Sequence, residues 1–376
     1  MFERRMLRNL DLLLLAAVLA LMALSVVTVA SATRTSGGAF FSQAARQQML
    51  WILVGLVTMA VMILIDPGDL SRMSGFIYVV NLLALLAVAF LGASALGAQR
   101  WIPIGPFRLQ PSELAKVFLA ITLSASLARR EGGFGDWRSF AMSFLHIAVP
   151  LVLILKQPDL GTSLVLLAVL FGILFFAGAP LGKLFGLYGA GIAAAVLAVV
   201  LHLHFGLPLP LKDYQLMRLI VFANPDLDPL QAGYHLRQSL IAVGSGRLFG
   251  KGLFAGAQSG LDFLPMRHTD FIYSVVAEEL GFIGAGFLLI LYLVLVWRAV
   301  LIAGVARDRF CSLLAAGLAA MFAFHILVNV GMTIGIMPIT GIPLPFMSYG
   351  GSAMLANCMA VGLLQSIAAR RKKILF

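Results

Sequence analysis

The chain has 376 residues, of which 61% are hydrophobic and only 11% charged, with a formal net charge of +11. That balance excludes an ordinary soluble domain and describes a polytopic membrane protein. The basic excess does not call for nucleic acid, because Lys and Arg also set the orientation of membrane helices.

In chain order, apolar runs long enough to span a bilayer fall at 11–32, 48–65, 74–98, 112–128, 140–155, 162–180, 184–203, 271–297, 311–336 and 350–368. The first follows the basic Glu3-Arg-Arg-Met-Leu-Arg8 and ends on Ala30-Ser-Ala32, which imitates a signal peptide. Its apolar part exceeds the roughly 7–15 residues of a signal core and further spans follow, so it reads as an uncleaved first helix. Ten helices put both termini on one side. With the N-terminus cytoplasmic, the inside segments hold fifteen of the 27 basic residues, and the short outside loops hold five: Arg34, Arg46, Arg100, Arg108 and Lys156. That asymmetry decides the orientation. The tail Arg370-Arg-Lys-Lys373 anchors the last helix to anionic lipid. Cys311 and Cys358 lie in or beside apolar spans and read as packing residues, not as a disulfide or metal pair. The expected architecture is therefore an all-α membrane domain over 1–376, with ten transmembrane helices, both termini cytoplasmic, and one long extracytoplasmic loop, 204–270, between helices 7 and 8.

That loop starts with turn-rich Leu207-Pro-Leu-Pro-Leu211 and Asn224-Pro-Asp-Leu-Asp-Pro229. Residues 234–243 predict a short amphipathic helix at the interface. Gly244, Gly246, Gly250, Gly252, Gly256 and Gly260 follow, with Arg247 and Lys251 among them. Such a series can form an anion-binding concavity of backbone amides, and a mobile re-entrant loop fits the pattern as well. Gly250-Lys251 is followed by Gly252, so this is not a Walker A motif.

The stretch from Phe263 to Gly281 begins polar, with Arg267, His268, Thr269 and Asp270, then turns apolar through Trp297. Asp270 thus sits where water meets hydrocarbon, and Glu278 would lie about 12 Å deeper in a continuous helix. Carboxylates at such depth must face protein or water, which suggests a polar cavity open to one membrane face. A simple N-cap is the other reading of Asp270. On the same face, Gln110-Pro-Ser-Glu-Leu-Ala-Lys116 starts a helix in which Glu113 and Lys116 can pair, and Asp159 occupies a turn in Lys156-Gln-Pro-Asp-Leu-Gly-Thr162. Uncharged Met337-to-Ser352 can form a rigid wall or accept a sugar through Ser348, Tyr349 and Ser352. His325 and Asn329 read as an interhelical hydrogen-bond pair. None of the sixteen acidic residues lies near the midplane of the remaining spans, unlike the usual ion-coupled transporter.

These motifs together resemble the SEDS family (shape, elongation, division and sporulation), closest to its RodA branch. The resemblance rests on Gln110 to Lys116, Gln157 to Thr162, Gly244 to Gly252, Phe263 to Ile272, Ala277 to Gly281, and Met337 to Ser352, in that order. Gln99-Arg-Trp-Ile102 and Arg267-His268 favour the elongation branch over division or sporulation. Gly260, Asp262 and Met266 depart from the family pattern, where Gln, Glu and Glu are expected. The resemblance implies a glycosyltransferase that polymerises lipid II at the outer face of the bacterial cytoplasmic membrane. It further implies a class B penicillin-binding protein as transpeptidase partner. By analogy Asp270 is the catalytic carboxylate, Glu113 and Lys116 are the charged pair of the central cavity, and Asp159 is the turn acid.

The chemistry agrees. A carboxylate on the acceptor 4-hydroxyl can act as general base. The leaving diphosphate needs cations, for which Arg100, Lys116, Lys251, Arg267 or a divalent metal (Mg or Mn) are candidates, with no cofactor certain. His268, Ser348 and Ser352 complete the substrate-binding candidates. A lipid II flippase would need a continuous polar path between the faces, whereas the polar residues gather at one end. A non-catalytic scaffold leaves the outer carboxylates without a purpose. The glycine loop reads as too mobile to hold a site alone, so activation by the partner is expected.

Overall fold

A computed structural model describes residues 9–34, 42–95, 98–105, 107–130, 137–208, 212–256, 258 and 263–371. Among these the chain forms helices α1 (Leu12–Ala32), α2 (Gln43–Leu64), α3 (Pro67–Arg72) and α4 (Ser74–Leu91), then a small sheet. There follow α5 (Pro111–Ala128), α6 (Trp137–Lys156), α7 (Leu160–Phe176), α8 (Leu181–Phe205), α9 (Asp213–Ala223) and α10 (Ala232–Ser245). The last three are α11 (Ile272–Gly304), α12 (Arg309–Thr333) and α13 (Gly351–Ala369).

Each expected apolar run contains a helix, and eight helices among the described residues are long and apolar enough to cross a membrane. The apolar part of α6, Phe140–Lys156, and α7 are shorter. Scarce acidic side chains mark several starts: Asp11, Asp66, Asp159 and Asp308 each accept a backbone N–H of the first turn they cap. The core gathers where α12 meets α7, α11 and α5, with α1 against α11 and α13 against α2. Leu14, Val18 and Leu21 of α1 are fully buried there, so the first helix is an integral part of the bundle. By contrast α8 buries only Leu184; it touches α7 through Phe185 and Tyr188 packed on Phe171.

The all-α expectation needs one correction. The run expected to span 74–98 stops at Leu91, and β1 (Ala93–Ala95), β2 (Ala98–Ile104) and β3 (Phe107–Leu109) form an antiparallel sheet in the order β1-β2-β3. Gly105, at φ +59°, supplies the turn between β2 and β3, and Ile104 pairs with Phe107. The loop 204–270 is also more ordered than its turn residues suggest. The predicted helix over 234–243 exists as α10, and α9 precedes it.

A second correction concerns α11, which is not continuous. Gly281 adopts φ +66° and ψ −165°, which breaks the helical ladder. The glycine segment repairs the break: Lys251 and Gly252 donate main-chain N–H to the carbonyls of Glu278 and Glu279, both at 3.0 Å. In return Phe282 and Ile283 donate to the carbonyls of Arg247 and Leu248 at 2.8 and 3.2 Å. Backbones approach so closely that a Cβ on Gly246 would stand 1.9 Å from the Ala277 carbonyl oxygen, and one on Gly250 2.1 Å from that of Glu279. This part of the glycine series is therefore neither an anion cradle nor a mobile flap. It is main chain substituting for missing helix. Gly260 lies outside the described residues.

Candidate active site

A cavity of about 490 Å³ opens between α5, α7, α9, α12 and the 266–271 and 339–353 segments. Asp270 lies in the turn before α11. The helix N-cap is Phe271, with no side-chain cap bond, so Asp270 is not a cap; its carboxylate lines the cavity. Its partial burial pushes its pKa up, while Arg218, Thr269 and Arg100 pull it down less strongly.

Two segments fix this turn. Asn329 of α12, fully buried, donates through Nδ2 to the carbonyl of Asp270 at 2.9 Å and to that of Ile342 at 2.7 Å. The Ser348 hydroxyl donates to the Thr269 carbonyl at 2.6 Å and accepts from Leu344 N–H, while Tyr349 N–H donates to the His268 carbonyl. Gly341 holds φ +73°, and a Cβ there would sit 3.4 Å from Asp270 Oδ2 and 3.3 Å from Arg218 Nη1. Its missing side chain leaves open the space that these two groups share.

The cavity floor carries Glu113 and Lys116 of α5. They pair as predicted, Lys116 Nζ donating to Glu113 Oε2 at 2.8 Å with only 1% and 4% of the residues exposed. Lys116 also donates to His325 Nε2 at 3.1 Å. The reading of His325 with Asn329 as one pair is thus corrected: four residues apart on α12, they serve different partners. Removing one charge of a buried pair strands the other at about 3–5 kcal/mol. We therefore predict that Glu113→Gln and Lys116→Met each cost stability on that order, and that the double substitution costs clearly less than their sum. A double-mutant cycle on thermal unfolding checks this, and strictly additive losses would count against the pair.

Asp159 also reaches the cavity, but its oxygens are heavily committed. They accept from Gln110 Nε2, Ser112 Oγ, Thr162 N–H and Thr162 Oγ1 at 2.9–3.2 Å. Arg100 stands 3.8 Å from Asp159, donates through Nε to the Gln157 carbonyl at 3.0 Å, and also bonds the Pro158 carbonyl and Tyr214 hydroxyl. Both residues hold the 157–159 turn against β2 and α9. Ser352 lines the cavity, its hydroxyl accepting from Gln110 N–H at 2.9 Å.

Four candidates lie outside the cavity wall: Ser348, which braces the Asp270 turn, and Lys251, Arg267 and His268. Lys251 pairs with buried Glu278 at 2.7 Å, and Glu279 accepts from the Ser31 hydroxyl. Arg267 Nε donates to the Ala32 carbonyl at the end of α1. His268 packs against the Tyr349 ring at 5.7 Å, its pKa lowered by burial and by Arg267. Conversely, the sequence did not single out Arg218, Tyr214 or His235, which line the cavity from α9 and α10. The available signal was the i, i+4 spacing of Tyr214 and Arg218 in an amphipathic run, masked by the flanking turn residues. Among the described residues no group of three or more His, Cys, Asp or Glu side chains assembles as metal ligands.

The comparisons agree with this architecture. Residues 7–373 match the FtsW/RodA/SpoVE family model, described as "Cell cycle protein". The peptidoglycan glycosyltransferase MrdB of Escherichia coli K12 is 39% identical over 367 residues, covering 97% of this chain and 95% of that one. A chain from a peptidoglycan synthase complex that coordinates polymerization and crosslinking superposes with a TM-score of 0.79 at 30% identity, covering 96% and 97% of the two chains. The rod shape determining protein RodA of Thermus thermophilus superposes at 0.71 with 28% identity, covering 97% and 98%. The chain belongs to the FtsW/RodA/SpoVE family.

Proposed function

We propose that this chain is a peptidoglycan glycosyltransferase that polymerises lipid II for cell elongation. The observation that carries the reading is the Asp270 carboxylate, on a turn whose main-chain carbonyls are held by Asn329 and Ser348, beside a guanidinium in a cavity with a charged floor. Kinship over essentially the whole length to a named peptidoglycan glycosyltransferase supports it.

In the reaction, Asp270 accepts the proton of the acceptor 4-hydroxyl as that oxygen bonds to the donor's anomeric carbon. The anomeric carbon–oxygen bond breaks, and its electron pair leaves with the lipid-linked diphosphate. The raised pKa of Asp270 makes it a stronger base than a free carboxylate, while the nearby guanidinium groups favour its ionised form. Both substrates keep lipid tails, so a cavity at the membrane interface lets the sugars meet without leaving the bilayer. The proposal includes ten spans with cytoplasmic termini, the cavity at the outer face of the cytoplasmic membrane, and a class B penicillin-binding protein bound to the bundle. The basic-residue asymmetry supports the orientation, and the structural likeness to a chain of a synthase complex supports the partner.

The test is polymerisation of purified lipid II. The chain alone is expected to give little glycan, and adding the transpeptidase is expected to raise the rate about tenfold or more, by populating a competent site. Equal rates with and without the partner would defeat the activation, and no glycan in either condition would defeat the enzymatic reading.

A further inference from the structure

Asp270 and Lys116 both line the cavity, but they stand on different elements, the 266–271 turn and α5. One turn of α12 touches both. His325 takes Lys116 Nζ with its Nε2 at 3.1 Å, and its ring also meets the Pro343 carbonyl. Four residues on, Asn329 Nδ2 donates to the Asp270 carbonyl at 2.9 Å and to the Ile342 carbonyl at 2.7 Å. Each side chain thus joins one group of the site to one of two successive carbonyls in the 339–353 wall.

Packing alone would not choose these residues. A buried imidazole or carboxamide is costly unless bonded, and His325 and Asn329 are only 2% and 0% exposed. Lys116 already has its counterion in Glu113, 2.8 Å away on its own helix. The His325 bond adds something else. Among the described residues it is the hydrogen bond that ties the Lys116 ammonium to another helix. A protonated amine can only donate, so Nε2 offers its lone pair and the neutral ring carries its proton on Nδ1. The contact is therefore directional and free of charge repulsion.

We propose that His325 and Asn329 are positioning residues, one rigid spacer that sets how far the Asp270 base stands from the Lys116 ammonium. This rests on the glycosyltransferase reading and extends it to residues that act through others. Side chains four apart on a helix keep their Cβ atoms about 5–6 Å apart. Because α12 is packed against α7, α11 and α5, the spacer has a fixed length, which a turn such as 266–271 cannot supply by itself. A misplacement of about 1 Å between groups of a site can cost about 100-fold in rate.

The test uses the full-length chain in nanodiscs with its transpeptidase, native or carrying His325→Leu, His325→Gln, Asn329→Leu, or both Leu substitutions. Each Leu substitution is expected to lower kcat for lipid II about 10- to 100-fold and to change KM less than about threefold, since no substrate contact is removed. His325→Gln, whose side-chain oxygen can accept from Lys116, should recover most of kcat. One spacer requires the double variant to be no slower than the worse single one. Losses that multiply would show two independent supports and overturn the spacer. Residues that only stabilise the bundle would lower the unfolding temperature and leave the kcat of the folded protein unchanged, which also overturns it. Hydrogen exchange is read on the same proteins. Asn329→Leu should speed exchange in both the 266–271 and 339–353 segments, and His325→Leu in 339–353. Unchanged exchange in both variants refutes the inference even where no glycan is made. If the native chain makes no glycan while exchange changes as stated, the glycosyltransferase reading fails and the spacer stands.

Discussion

Asp270→Asn is expected to lower glycan polymerisation by about 100- to 10,000-fold, the usual contribution of a positioned general base. The substitution keeps the shape of the side chain and leaves the Asn329 clamp intact, because that bond is made to the backbone carbonyl of residue 270. The same variant should be no less stable than the native chain. Burial raises the Asp270 pKa above its ordinary value of 3.8, so the folded state binds the neutral carboxyl more tightly than the unfolded state does. The stability cost of ionisation therefore appears as pH rises from the ordinary value through the raised one, and is fully present at neutral pH. A neutral amide removes that cost. For activity the sign is opposite: the base works only when deprotonated, so the acid limb of the kcat/KM profile should lie above the ordinary carboxylate range. Retained polymerisation in a folded Asp270→Asn protein would refute the assignment.

Gly250→Ala should be the most damaging single methyl group in the 204–270 segment. Gly250 holds φ +80°, and its Cβ would meet the Glu279 carbonyl oxygen at 2.1 Å. Left-handed strain of about 1–2 kcal/mol adds to about 1–3 kcal/mol for forcing a methyl into packed backbone. The 247–252 segment must then lift from the broken helix, stranding the main-chain groups around Gly281. Thermal unfolding and proteolysis of this loop provide the measurements. Gly244→Ala is the control, because a Cβ there meets nothing within 4 Å. Equal stability of the two variants would show that the loop is not docked as described.

Hydropathy located the helices well, because a bilayer accepts few alternatives to a long apolar run. The six motifs likewise led to Asp270, Glu113, Lys116 and Asp159, all on the cavity wall. What the sequence hid was direction. Arg267 stands three residues before Asp270 yet turns to Ala32, and Lys251 turns to Glu278, whereas Arg218, some fifty positions away, faces the carboxylate's cavity. Proximity in sequence does not orient a side chain in a turn, and nothing in local spacing reports a helix break repaired by another segment. The small sheet escaped for a related reason: its strands are short, and Pro103 and Gly105 read as loop.

The break at Gly281 also has a mechanical meaning. A bilayer fluctuates in thickness, and a spanning helix responds by tilting. Were α11 one rod, each tilt of its lipid-facing length would swing Asp270 at the tip like the end of a lever. Here both sides of the break are fastened to one further stretch of main chain, Glu278 and Glu279 through Lys251 and Gly252, and Phe282 and Ile283 through Arg247 and Leu248. The reacting end thereby has a second anchor, and a tilt of the shaft must carry the 247–252 segment with it.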